Sequence, residues 1–267
     1  MEQLVRMEHI SKHFGPIRAL ENVDFAVYPG EVVGLVGDNG AGKSTLINIL
    51  SGIFPPSKGN IYFDGKRIPF LTSRKSRRLG IQTVHQGFGL IDLLPIDRNL
   101  VLGQEPTRRF LFLRFLDRKK MTDMTKEMLA TIDIKRKLQP TFLVGQLSGG
   151  EKQSVKLGRS ISYEDRLLIL DEPVTGLSVR ESENVMKMIA RIKAANVAVI
   201  FISHDVFQVY SIADRIVVLD RGIKLLDLPK QEKTPQQIIN MIRNPDEAHR
   251  AVAGLEDECG YASQPNA

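Results

Sequence analysis

The sequence has 267 residues, 42% hydrophobic and 25% charged, with a formal net charge of +6. That balance is close to the globular average, and the length suits one or two domains with a sizeable core. The longest apolar runs, such as Leu167–Leu170 and Val197–Ile202, fall well short of the ~20 residues of a membrane-spanning helix. The first ten residues alternate charged with apolar side chains and hold no signal-peptide core. A single cysteine, Cys259, agrees with a reducing compartment. A cytosolic chain is expected.

Residues 4–10, 23–28 and 31–36 read as strands, with Tyr28-Pro29-Gly30-Glu31 as the turn between the last two. Next comes Gly37-Asp38-Asn39-Gly40-Ala41-Gly42-Lys43-Ser44-Thr45, which fits G-x-x-x-x-G-K-[ST]. The motif needs a strand before it and a helix after it. The apolar run 31–36 and a helical pattern from Ser44 supply both. Its glycines let the backbone curl so that N–H groups point at phosphate oxygens, and the helix N-terminus adds partial positive charge. Lys43 is expected to pair with the β- and γ-phosphates of a nucleotide, and Ser44 to ligate Mg²⁺.

Further along, 60–65 reads as a strand ending in a turn, and 81–84 as another strand. Residues from about 87 to 161 lack clear strands and read as an inserted helical subdomain. Within it lies Leu147-Ser148-Gly149-Gly150-Glu151. Ser148 is expected to cap a helix beginning at Gly149, with Glu151 completing a capping box. The two glycines leave room for a phosphate at that helix end.

The run Leu167–Leu170 reads as a buried strand that delivers Asp171 and Glu172 to its C-terminal end, the edge where open α/β sheets bind ligands. Asp171 is the candidate for holding Mg²⁺ through water, and Glu172 for polarising the attacking water. A second capping box, Ser178-Val179-Arg180-Glu181, opens a helix whose apolar positions are Val185, Met188, Ile189 and Ile192. Strands follow at 197–203 and 215–219. The alternation of strands and helices predicts an α/β fold with a mostly parallel sheet. The basic stretches 74–78 and 108–120 read as solvated faces, although basic charge also suits nucleic acid, anionic lipid or nucleotide. After Pro245 the chain is polar, and 245–267 reads as a tail behind a domain spanning 1–244.

The phosphate loop, the Asp171-Glu172 strand end and the Leu147–Glu151 pentapeptide occur in the order found in the ATP-binding subunits of ABC transporters, which this chain resembles from about residue 4 to 228. The resemblance implies a P-loop NTPase core with an antiparallel β subdomain and an inserted helical subdomain. It implies ATP and Mg²⁺ as ligands. Gln86 matches the glutamine that touches Mg²⁺ and the attacking water, and His204 the histidine that contacts the γ-phosphate. Phe14 matches the aromatic that stacks on adenine. Residues 173–178 match the D-loop. The pentapeptide, with Ser148, Gly149, Gly150 and Glu151, matches the signature that closes on the nucleotide of a second subunit. Two departures stand out: Glu151 replaces the usual Gln, and Ser178 the usual D-loop Asp. An acidic group beside a triphosphate repels it unless the carboxylate folds back onto the helix cap, which is expected here.

Finer matches around 37–40, 84–86 and 176–182 resemble the monosaccharide-uptake subgroup. That implies a peripheral subunit at the cytoplasmic face of the membrane. Its partners are a second ATP-binding subunit, an integral membrane permease docked near 87–104, and indirectly an extracytoplasmic solute-binding protein. No nucleic-acid partner is expected. An exporter ATPase or a non-transport ABC system such as DNA repair is the alternative. The latter usually carries a long coiled coil that is not visible between Gly87 and Leu147.

Overall fold

The computed structural model describes residues 2–84, 90–102, 105–110, 112–131, 137–160, 165–246 and 249. In chain order the elements are β1 (Val5–Phe14), β2 (Ile17–Val27), β3 (Val32–Val36), α1 (Lys43–Leu50), β4 (Lys58–Phe63), β5 (Lys66–Arg67), α2 (Ser73–Arg78), β6 (Ile81–Val84), α3 (Ile96–Val101), β7 (Thr107–Phe110), β8 (Leu113–Leu116) and α4 (Arg118–Thr131). They continue with α5 (Gly149–Ser160), β9 (Leu167–Asp171), α6 (Val179–Ala194), β10 (Ala198–Ile202), α7 (Val206–Ile212), β11 (Arg215–Asp220), β12 (Ile223–Pro229) and α8 (Pro235–Arg243).

Among the described residues the strands form three sheets. The largest has the order β12-β11-β3-β10-β9-β6. It is parallel throughout except for β12, which runs antiparallel to β11 at the edge. A four-stranded antiparallel sheet has the order β2-β1-β4-β5, and β7 pairs only with β8.

Side chains alternate across a strand, so a strand covered on both faces must be apolar at every position. Strands β3, β9, β10 and β11 meet that demand along their buried lengths, with charged residues only at the half-buried ends Asp171, Arg215 and Asp220. Val33, Leu35, Leu167, Ile169, Ile200, Ile202, Val217 and Leu219 pack into one cluster with α1 and the four-stranded sheet. Their neighbours Val32, Val36, Leu168, Leu170, Val199, Phe201, Ile216 and Val218 enter a second cluster with α6, α7 and α8. Each such side chain contributes about 1.5–3 kcal/mol on burial, so these two layers dominate the stability. Gly34 is glycine for a local reason: an added Cβ would lie 2.1 Å from Val209 Cγ1, because α7 crosses β3 closely.

A third, smaller cluster of Ile96, Leu138, Val144, Leu147 and Val155 belongs to the segment expected to be helical. That expectation needs a correction. The segment contains α3, α4 and α5, and also the β7–β8 hairpin. The hairpin escapes a reading of pattern because its apolar residues run on without alternation through the turn, and no Gly, Asn or Pro marks the reversal. Strand β12 and helix α8 are likewise additions, and β1 and β2 extend further than expected, to meet at a Gly15-Pro16 turn. The stretch 74–78 lies on α2, where only Ser76 is buried, as a solvated face should be.

Candidate functional site

Strand β3 ends at Val36, and the phosphate loop begins at once with three glycines in the left-handed region: Gly37 (φ 148), Gly40 (φ 84) and Gly42 (φ 101). Gly37 has a second constraint, since an added Cβ would lie 2.1 Å from the carbonyl oxygen of Leu219. The loop therefore wedges against the end of β11 and turns directly into α1. Gly42 is the N-cap of α1, and no side chain caps that helix end. Its N–H groups are thus left to an anion rather than to the chain's own oxygens. Asp38, Asn39, Gly40 and Ser44 are exposed, Ala41 is buried, and Thr45 is half-buried. Lys43 Nζ donates to the carbonyl oxygens of Gly37 (2.6 Å) and Asp38 (2.9 Å). Burial holds its pKa below the ordinary lysine value, against the opposing pull of Glu172, Asp38 and Asp171. Those carboxylates place the loop beside the end of β9.

Asp171 is the last residue of β9, and Glu172 follows in the left-handed region at φ 51. A non-glycine residue there costs roughly 1–3 kcal/mol, and persists where its surroundings over-determine it. They do so here. Glu172 N donates to Ile202 O (3.0 Å), stitching the turn to β10. Glu172 Oε1 accepts from His204 N (3.0 Å) and bonds His204 Nδ1 (2.8 Å). Glu172 Oε2 accepts from Thr175 Oγ1 (2.8 Å) and Ser203 Oγ (3.2 Å). Burial works to raise the pKa of Glu172. The hydrogen bonds from His204 and Thr175 outweigh it and hold the group below the usual carboxylate value, so it is ionised at neutral pH. The carboxylate side chain is 13% exposed and the imidazole 68%. His204 thus presents itself to solvent with one nitrogen already engaged.

The Leu147–Glu151 turn has the expected double cap. Ser148 N donates to Glu151 Oε2 (2.8 Å), and Glu151 N donates to Ser148 Oγ (3.2 Å). The Glu151 carboxylate has folded back, which answers the question its substitution for Gln raised. A second carboxylate arrives unannounced: Gly150 N donates to Glu181 Oε1 (2.7 Å). The other oxygen, Oε2, accepts from Ser178 N and Oγ at 3.0 and 2.8 Å. Glu181 therefore spans two helix starts, those of α5 and α6. Gln153 adds a second tie, with Nε2 donating to Pro173 O (2.6 Å). Ser178 caps α6 in a full capping box, the use to which this chain puts the position where an Asp was expected.

Two roles go unmarked in the sequence. One is Glu181 as a bridge; its sequence signal is only the capping box. The other is Lys156 on α5, whose charge is felt by Asp171 and whose pKa burial pushes down. Phe14 lies at the end of β1, 44% exposed, so it is not a core residue. Its ring meets Phe54 edge-on at 5.3 Å, and Lys12 Nζ stands 5.0 Å from its centroid. Gln86 lies outside the described residues. In the segment expected to dock a permease, Leu93 is 86% exposed, Ile96 is buried, and 87–89 and 103–104 lie outside the described residues.

The chain's relatives fit this arrangement. Residues 20–175, more than half of the chain, match the family model described as ABC transporter. The xylose/arabinose import ATP-binding protein XylG of Sulfolobus acidocaldarius is 38% identical over 242 residues, covering 91% of this chain and 94% of that protein. The ribose import ATP-binding protein RbsA 1 of Rubrobacter xylanophilus is 39% identical over 222 residues. That match covers 83% of this chain but only 43% of the relative, so this chain spans under half of that longer protein. Among solved structures, the ADP conformation of MJ1267, an ATP-binding cassette of an ABC transporter, superposes with a TM-score of 0.75 at 23% identity, over 93% of this chain and 99% of that one. A dimeric post-hydrolysis structure of the cassette MJ0796, bound to ADP and Pi, gives 0.70 at 24% identity, over 85% and 98%. No helix among the described residues is long and apolar enough to cross a membrane. With its phosphate loop, acidic strand end and capped signature helix in this order, the chain belongs to the ABC transporter family and is an ATP-binding, ATP-hydrolysing component of it.

Proposed function

We propose that this chain drives monosaccharide uptake through a separate membrane permease. In this reading it works as one half of a head-to-tail pair of ATP-binding subunits at the cytoplasmic face of the membrane, with a solute-binding protein on the other side. The observation that carries the catalytic part is the convergence of Lys43, Asp171, Glu172 and His204 at the C-terminal edge of the large sheet. The names of the relatives, sugar import ATP-binding proteins, support the choice of solute class.

In this proposal residues 1–244 form one ATP-binding domain, with the stretch 87–161 inserted as its helical part and 245–267 as a tail. Phe14 stacks on adenine. The loop 37–45 wraps the phosphates with its backbone N–H groups, and Lys43 exchanges the Gly37 and Asp38 carbonyls for phosphate oxygens. Glu172 accepts a proton of the attacking water as the water oxygen bonds the γ-phosphorus and the bond from that phosphorus to the β–γ bridging oxygen breaks, which releases ADP and phosphate. His204, tethered to Glu172 through Nδ1, orients a γ-phosphate oxygen with its other nitrogen. Ser148, Gly149 and Gly150 serve the nucleotide held by the paired subunit, with Glu151 closing the cap beneath them.

Among the described residues no cluster of three or more His, Cys, Asp or Glu could hold a metal unaided. Mg²⁺ needs no such cluster, since it keeps waters and takes one or two protein ligands plus substrate phosphates. The exposed Ser44 at the head of α1 and Asp171 at the end of β9 fit that donor set, with Gln86 as the proposed third contact. Bound there, the ion would neutralise charge on the phosphate oxygens.

The experiment is Lys43→Ala in the purified chain. Nucleotide affinity and ATP turnover are expected to collapse while the thermal unfolding midpoint stays close to the parent's, since Lys43 packs no apolar cluster. Unchanged ATP affinity would sink the site. Uptake of labelled pentoses and hexoses by cells expressing the chain with its permease tests the solute class.

A further inference from the structure

The β7–β8 hairpin joins neither of the larger sheets. A lone two-stranded hairpin is marginally stable in water, because it has almost no core of its own. This one is also uncovered: Phe112 is 94% exposed, Leu113 63% and Phe115 46%. The period of two places Leu113 and Phe115 on one face and Arg114 on the other. Across the ladder Arg114 stands directly opposite Arg109. Like charges in that position destabilise a strand pair. Arg108, Arg109 and Arg114 are all exposed, and Arg118, Lys119 and Lys120 extend the positive run onto α4. No carboxylate occurs from Thr107 to Leu116. The flanking ones are Glu105 and Asp117, and Asp117 Oδ1 accepts from the backbone N–H of Lys120 (3.0 Å).

We propose that this hairpin is a lipid-contact element. Its tip, Phe112 and Leu113, enters the headgroup layer of an anionic leaflet, while Arg108, Arg109 and Arg114 bind lipid phosphates. The anionic surface supplies countercharge to the facing Arg109 and Arg114. The interface also accepts aromatic and aliphatic side chains that water does not. The distribution favours lipid over a protein groove. Phe112 and Leu113 stand at the tip, and cations lie on both faces with Arg108 opposite Phe115, so a tip sunk among phosphates satisfies the apolar and the charged groups at once. The inference rests on the reading that this chain works at a membrane, but it needs neither permease nor nucleotide to be tested.

The test is sedimentation of the purified full chain with vesicles of phosphatidylcholine alone, or of phosphatidylcholine mixed with phosphatidylglycerol. Binding to the anionic vesicles is expected to be about tenfold stronger, and to fall by a similar factor when salt screens the surface. Two double variants, Phe112→Ser with Leu113→Ser and Arg109→Ser with Arg114→Ser, should each lose most of that binding. Their basal ATPase should stay at the parent level, which shows that they fold. A control with Arg74→Ser and Arg77→Ser on α2 should bind as the parent does. The proposal is overturned if the parent shows no preference for anionic vesicles. It is equally overturned if the α2 control rather than the hairpin variants loses binding, or if binding appears only with vesicles that contain the permease. Loss of ATPase in the parent preparation would instead count against the functional reading.

Discussion

In the proposed reaction Glu172 carries chemistry as well as fold. Its positive φ lets the chain leave β9 sharply, so that the carboxylate turns toward β10 instead of continuing along the strand. Four donors then fix it: His204 through backbone and ring, Thr175 and Ser203. A carboxylate held this way is ionised at neutral pH, as a base must be, and has little freedom to wander before the reaction. Glu172→Gln keeps the shape and removes the proton acceptor. ATP binding is expected to persist while turnover falls roughly 10²–10⁴-fold, the usual worth of a general base. Parent-like turnover in that variant would remove Glu172 from the role and leave its bonds a purely structural meaning.

At the scale of elements, the link between α5 and α6 makes the two signature glycines unequal. An added Cβ at Gly149 meets nothing within 4 Å, whereas one at Gly150 would stand 2.4 Å from Glu181 Cγ. Gly149→Ala should therefore leave stability within about 0.5 kcal/mol of the parent. ATPase should still fall, because the new methyl occupies the side on which a phosphate approaches. Gly150→Ala should cost about 1–3 kcal/mol, as overpacking does, and displace the carboxylate that binds Gly150 N. Thermal unfolding of both variants beside their ATPase decides it, and equal losses of stability would refute the asymmetry. The same contact marks the limit of what the sequence makes legible. The buried strands β3, β9 and β10 announce themselves because both of their faces are covered. The α6 start is readable because a capping box is local. A hydrogen bond between Gly150 and Glu181 joins residues 31 apart, and neither residue type signals the other. The β7–β8 hairpin is illegible for a different reason: an uncovered hairpin has no buried face to impose alternation, and the three residues Leu113-Arg114-Phe115 that do alternate are too few to read as a strand.

For the whole molecule, the motifs of one chain form two groups that meet at residues 173–178, where Thr175 donates to Glu172 and Pro173 accepts from Gln153. The phosphate loop is coupled to Asp171, Glu172 and, through Glu172, to His204. The 147–151 turn is tied to Glu181, and its helix α5 to Pro173 through Gln153. In the proposed paired-subunit reading each group is an incomplete phosphate cage, and a two-fold pair of chains would complete both cages at once. Ser148→Arg puts a cation and its bulk at the signature end, and Lys43→Ala disables the phosphate loop. A homodimer of either variant then has no intact composite site. A mixed dimer has one, made from the loop of the Ser148→Arg chain and the signature of the Lys43→Ala chain. ATPase of the purified mixed dimer is expected to reach up to about half of the parent rate, since symmetry makes the two parental sites equivalent. The homodimers should remain near background. A Ser148→Arg chain that turns over ATP at the parent rate by itself would mean that the signature turn serves no neighbour's nucleotide, and the paired-subunit reading would fall with it.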